Sequence, residues 1–185
     1  MRSWHPWLHF RTITRHKLLV MRYCFRIGLY KQGLLHDLSK YSPTEFLVGC
    51  KYYQGTRSPN NAEREATGVS MSWLHHKGRN RHHFEHWMDY SLDGEHVIMG
   101  ARMPRKYVAE MVMDRISASR NYLGDAYDHH QPLDYFLKSK EKLWFIHPRT
   151  KKELEGLLRI VDKYGEDRAL KYIKHVYLGK GKKKK

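Results

Sequence analysis

The sequence predicts an all-α fold: a single helical bundle over residues 1–178, followed by a disordered basic tail, 179–185. Three observations carry that expectation. Apolar residues recur at spacings of three and four, no stretch alternates apolar and polar residues convincingly, and helix start and stop signals punctuate the chain. A length of 185 residues suits one domain with a real core. The hydrophobic fraction of 41% is spread evenly, which argues against global disorder.

Each element has its own signal. From about Thr14 to Gln32, His16, Val20, Tyr23, Ile27 and Tyr30 share one helical face, with Gly33 as the stop. Ser42, Pro43, Thr44 and Glu45 spell a capping box with proline at the first helical position, starting a helix towards Tyr53. His36 and Asp37 therefore fall on a short turn between two helices. After a loop from Gly55 to Asn60, Ala62, Ala66, Val69, Trp73 and His76 share a face until Gly78 and Asn80 break it, and HHFEHWMDY resumes as a short segment. Pro104 opens a longer helix on which Tyr107, Met111, Asp114 and Ala118 align. Pro132 starts a short segment, and Thr150 to Glu153 form a second capping box before LEGLLRIVDKYG. A last helix runs from about Glu166 to Tyr177, showing Leu170, Ile173 and Tyr177.

Composition narrows the classes of function. Cys24 and Cys50 match neither a disulfide framework nor a paired-cysteine zinc motif, which points to a reducing compartment. The apolar run LLVMRYCFRIGLY is interrupted by Arg22 and Arg26 and falls short of the roughly 20 apolar residues of a membrane span. No apolar signal-peptide region opens the chain, so the expectation is a cytoplasmic protein without a membrane partner. Of the formal charge of +16, the five lysines of the tail GKGKKKK account for five, leaving +11 on the body. That balance suits an anionic phosphate-containing substrate or nonspecific nucleic acid.

His16, the His36–Asp37 pair, His76 and Asp114 are separate places where a metal-ligand side chain points inward or sits at a helix junction. Burying each such group without a partner costs about 1–3 kcal/mol, and a charge costs more. A shared divalent cation would offset those costs together. Imidazole with carboxylate and no thiolate suits Fe, Mn, Co, Ni or Zn, and the carboxylates leave room for Mg. The same residues could instead be a helix cap, a core histidine and a buried His–Asp hydrogen bond. The inward residue of the pair His75 and His76 is open by one position of helix boundary, as is the choice between His82 and His83, with His86 on the same turn. His129 and His130 read as surface residues. Lys40, three positions after Asp37, lies near its face on a helical turn and could hold a substrate phosphate, as could Arg79, Asn80 and Arg81. Trp73, Trp87 and Tyr90 read as core rather than as platforms for bases.

A histidine on one helix, an adjacent His and Asp after the next turn, and an Asp on a later helix resemble the HD-domain metal-dependent phosphohydrolases, an all-α superfamily. That resemblance, spanning His16 to Tyr122, implies His16, His36, Asp37 and Asp114 as ligands of a first metal. HDLSK is similar to the HD-x-G-K version of the cyclic-dinucleotide subclass, whose further histidines imply a second metal at His76 and His83 or His82. FEHWMDY stands where that subclass carries G-Y-P, and Ser39 replaces its glycine, so a cyclic-dinucleotide substrate is not expected. Through HDLSKYSPTEF, HHKGRNRHHFEHW and MPRKYVAEMVMDR the whole chain resembles an uncharacterised family of bacterial and phage proteins.

The expected activity is hydrolysis of a phosphoester of a nucleotide or related anion by a metal-activated water, with one or two metals per chain. Asp37 would bridge two metals, Asp114 would ligate or orient the water, and Lys40, Arg79 and Arg81 would meet the phosphate. Two other classes fit the same residues: a non-enzymatic nucleic-acid-binding protein, and a di-iron redox enzyme on the same fold.

Overall fold

The computed structural model describes residues 4–92 and 94–181. Eight α-helices and one small hairpin make up the described residues: α1 Pro6–Arg26, α2 Tyr30–Leu35, α3 Pro43–Lys51, α4 Pro59–Thr67, α5 Met71–Arg79, β1 Met88–Tyr90, β2 Ile98–Gly100, α6 Arg105–Leu123, α7 Gln131–Ser139 and α8 Pro148–Tyr172. Single 3-10 turns link several of them, and a π turn, Ile173–Tyr177, ends the last helix. The all-α expectation holds.

Helix α1 starts at Pro6 in the first turn and buries His9, Ile13, His16, Val20, Tyr23 and Cys24, a stripe at three- and four-residue spacing. One helix was expected from Thr14 to Gln32; the chain instead breaks at Gly28, whose φ of +75° suits glycine, and restarts as α2. The restart turns Tyr30 outward to 60% exposure and buries Gly33 inside α2, where no stop occurs. The expected face from Ala62 to His76 is likewise split, at Gly68 with φ +79°, leaving Ala66 and Val69 exposed. The segment after Asn80 forms a 3-10 turn, Phe84–Trp87, and then β1, which pairs antiparallel with β2 in the register Met88 to Gly100. The two C-terminal helices that the sequence predicts are the halves of α8, divided by a kink at Gly165 with φ +73° and ψ 168°.

Neither expected capping box forms. Ser42 does precede Pro43 at the start of α3, but its side chain makes no cap hydrogen bond and Glu45 turns elsewhere. Thr150 lies inside α8, where its hydroxyl accepts from the Met103 amide, and the cap is His147, whose Nδ1 accepts from the Arg149 amide.

Helices α1, α6, α7 and α8 enclose one core containing Val20, Ile27, Val112, Ile116, Phe136 and Leu158, all with no measurable exposure. Truncating a residue such as Phe136 to alanine removes about 3–5 kcal/mol. Glu166, beside the α8 kink, fastens three helices together: Oε1 accepts from Arg120 Nη2 at 2.9 Å and Tyr127 at 2.6 Å, and Oε2 accepts from Tyr23 at 2.6 Å. Both cysteines are buried and free. No helix among the described residues is long and apolar enough to cross a membrane. Of the expected tail, Gly179 to Gly181 fold back so that Lys180 donates to the Gly28 carbonyl, while Lys182 to Lys185 lie outside the described residues.

Candidate metal centre

The centre is built where α1, the α2–α3 turn, α5 and α6 meet. His16 comes from α1, His76 from α5 and Asp114 from α6, each carried inward by helical spacing. His36 and Asp37 come from the turn after α2. Asp37 adopts φ 53° and ψ 25°, and it is the one non-glycine residue with positive φ among the described residues. Aspartate tolerates this left-handed conformation better than most residues, yet it is a strained choice that the surroundings must hold in place.

Two groups of potential ligands share Asp37: His16, His36, Asp37 and Asp114, and Asp37, His76, His82 and His83. The carboxylate divides between them. Its Oδ2 lies 3.4 Å from His36 Nε2 and 3.6 Å from His16 Nε2, and its Oδ1 lies 3.3 Å from His76 Nε2 and 3.4 Å from His82 Nε2. Asp114 closes the first group, with Oδ1 at 2.9 Å from His16 Nε2 and 3.7 Å from His36 Nε2. In the second, His76 Nε2 and His83 Nε2 face each other at 2.9 Å. The inward histidine is His76 rather than His75, and both His82 and His83 belong to the group.

Two glutamates fix the outer ring nitrogens: Glu45, expected in a capping box, and Glu110, which no sequence motif singles out. Glu110 Oε1 accepts from His36 Nδ1 at 3.0 Å and lies 3.3 Å from His82 Nδ1. Glu45 reaches His76 Nδ1 with Oε2 at 2.8 Å and His75 Nδ1 with Oε1 at 2.6 Å. Asn80 adds a lock on α5, donating to the His76 carbonyl at 2.8 Å and to Ser39 Oγ at 2.8 Å. A carboxylate on Nδ1 selects the tautomer with its proton there. The Nε2 atoms of His36, His76 and His82 consequently aim inward, at the oxygens of Asp37, where a bound cation would meet their lone pairs.

This arrangement fits a cation. His16 Nε2, His36 Nε2, His82 Nε2 and both Asp37 oxygens are buried without a hydrogen bond of sound geometry, although Oδ2 faces His16 and His36 and Oδ1 faces His82. Such a set is unfavourable as hydrogen bonding and favourable as coordination, and its nitrogen and oxygen donors suit a divalent transition ion. Without an ion, the charges of the cluster balance one another. Burial disfavours the Asp37 carboxylate, but His36, Lys40 and His76 outweigh it and hold its pKa well below the usual carboxylate range. Burial also opposes a charge on His36, and there Asp37, Asp114 and Glu110 win, raising its pKa well above the ordinary histidine value. His83 goes the other way, lowered by burial and by the neighbouring His82 and His76.

Lys40 Nζ pairs with Asp37 Oδ2 at 2.6 Å, as its spacing suggested. It borders a small cavity of about 50 Å³ with His9, Tyr53 and Tyr122. A second cavity, about 600 Å³, opens on the centre itself: His83 and Asp114 line it, with Trp73, Glu85, Arg115 and Tyr135. That size suits a small-molecule ligand. Arg79 and Arg81, expected to meet phosphate, are exposed and line neither cavity; Asn80 between them points inward. The arginines that do line the large cavity are Arg57 and Arg115. Trp87 packs against the core, as expected, whereas Tyr90 is exposed.

No curated protein and no solved structure matches the chain. The model of a family of unknown function, DUF5662, matches residues 5–160, a span that holds every residue of both histidine and carboxylate groups. The chain therefore belongs to the DUF5662 family.

Proposed function

We propose that this protein is a metal-dependent phosphohydrolase of HD type, with a two-metal centre that hydrolyses a phosphoester of a nucleotide or related anion. The observation that carries this reading is the division of Asp37, whose two buried oxygens each face a separate set of histidines. His16, His36, Asp37 and Asp114 would hold one ion, and Asp37, His76, His82 and His83 the other. Divalent ions held there would supply Lewis acidity towards a phosphoryl oxygen and would lower the pKa of a water nucleophile.

The chain's own residues do the rest. Glu110 and Glu45 orient the imidazoles and raise their basicity as ligands. Lys40 keeps Asp37 ionised and brings a positive charge to the edge of the centre, where phosphoryl charge would develop. Asp114 borders the large cavity as well as His16, so its carboxylate is placed to orient a water towards a bound ester. The walls of the cavity, with Trp73, Tyr122 and Tyr135, offer flat apolar surface beside the polar end. The alignment of His16, His36–Asp37, His76 and Asp114 along successive helices is the likeness to HD-domain enzymes that supports the reaction class.

The test is a panel of phosphoesters assayed with Mn, Fe, Co, Ni, Mg and Zn in turn. Release of phosphate or a nucleoside monophosphate, abolished in Asp37→Ala, supports the proposal. A silent panel together with steeply salt-dependent binding to generic DNA or RNA replaces it with a nucleic-acid-binding role.

A further inference from the structure

Asp114 and Arg115 are consecutive on α6 and both line the large cavity. Asp114 has partners; Arg115 has none of the usual kind. Its Nε and Nη1 are buried without a hydrogen-bond partner, and no carboxylate among the described residues comes within ion-pair distance of it. Its close neighbours are two rings on α7, with the guanidinium carbon 5.9 Å from the centre of Tyr135 and 5.7 Å from that of Phe136. Ring faces stabilise a cation but accept none of the five guanidinium N–H groups in the plane. Glu85 borders the same cavity, but its Oε2 is itself unpartnered and makes no ion pair with Arg115.

A half-buried guanidinium with two nitrogens buried and no acceptor is costly for a fold to retain, since an apolar side chain of similar size would pack there at less cost. A guanidinium that lines a ligand-sized cavity, with Nη2 as its one nitrogen not buried, can also receive a carboxylate or a phosphate through charge-assisted hydrogen bonds. We propose that Arg115 is the receptor for an oxyanion group of the ligand that fills this cavity. That the ligand carries a second oxyanion, the one presented to His83 and Asp114, rests on the reading of the metal centre given above. The ligand class is then a compound with two separated oxyanionic groups, such as a bisphosphate or a phosphorylated carboxylic acid, joined by a scaffold that lies against Tyr122 and Tyr135.

The experiment titrates the full-length protein with inorganic phosphate and, separately, with acetate, before and after dialysis against a chelator. Thermal stability and calorimetric affinity are both read. The dialysed wild type should gain stability with phosphate, with acetate, or with both, and the more effective ion identifies the group. Arg115→Met should weaken that affinity by about tenfold or more, the scale of a lost charge-assisted hydrogen bond. Without the ion the same variant should melt at or above the wild-type temperature, because the unpaired charge is gone. Arg115→Lys should retain part of the response. The proposal is overturned if the wild type ignores both ions, if Arg115→Met responds like wild type, or if that variant melts lower or fails to fold, which would make Arg115 a structural cation held by the two rings. Metal content measured before dialysis separates the two readings: no bound metal with the phosphate response present sinks the metal centre, and bound metal with no response to either ion sinks the anion receptor alone.

Discussion

Glu110 Oε1 stands 3.0 Å from His36 Nδ1, both side chains buried, and the same oxygen lies 3.3 Å from His82 Nδ1. One carboxylate thus orients a histidine from each of the groups that share Asp37. Changing Glu110→Gln keeps the shape and removes the charge that fixes both tautomers. Metal affinity should fall at both positions by about 10- to 100-fold, with the helical content unchanged. Competition against a chromophoric chelator measures it, and equal affinities in the two proteins would deny Glu110 this role.

Glu45 serves only the second group, through His76. Glu45→Gln, or His76→Ala more drastically, should lower metal stoichiometry towards half while the first group stays loaded. Unchanged stoichiometry in both variants would return the second group to a purely structural role.

Lys40→Met removes the ion pair to Asp37 without removing a candidate ligand. Metal content should hold, and turnover of the best phosphoester should fall by about 10²- to 10³-fold, as for a lost charge-stabilising donor. A variant with full turnover would leave Lys40 as a surface lysine with a buried end.

Much of this architecture was legible in the chain, and the illegible parts have physical causes. His16, His36, Asp37, His76 and Asp114 could be placed inward because helical periodicity reports which face a side chain takes. The breaks at Gly28 and Gly68 could not be told from tolerated glycines, since a positive φ leaves no mark in the residue type alone. Glu45 was hidden by a better-known role: Ser42 to Glu45 matches a capping box, and only the approach of α5 shows that the carboxylate serves His75 and His76 instead. Glu110 sits one turn before Asp114, and that i, i+4 spacing on one face was the signal available for it. Arg115 follows Asp114 in the sequence but owes its interest to the cavity, which forms only when α7 closes over α6.

Stability in acid offers a check away from the centre. His9 is buried against Phe46 and Tyr53, with Nδ1 unpartnered, and burial followed by the charge on Lys40 lowers its pKa from 6.5 to about 4. The unfolded chain therefore takes up a proton on His9 between pH 6.5 and about 4 that the folded chain refuses, so stability falls as pH falls through that window. The His9 share is on the order of 2–3 kcal/mol. His9→Leu should lose correspondingly less stability between pH 7 and pH 4 in urea titrations; an identical loss would place the acid sensitivity elsewhere.

Gly49 faces the same ring so closely that a Cβ there would overlap His9 Nε2. Gly49→Ala should accordingly destabilise by about 1–3 kcal/mol, and Gly49→Ala combined with His9→Ala should recover part of that loss. Simple additivity of the two changes would contradict the contact.

The central claim is that Asp37 joins two metal positions, and elemental analysis of protein purified without chelator tests it most directly. The account predicts divalent transition metal at one ion for each of the two four-residue groups, and near-complete loss of both ions in Asp37→Asn, which keeps a side chain that tolerates the left-handed turn. Wild-type protein that carries no metal and takes none up from micromolar Mn, Fe, Co, Ni or Zn, or an Asp37→Asn variant that retains a full complement, would contradict it.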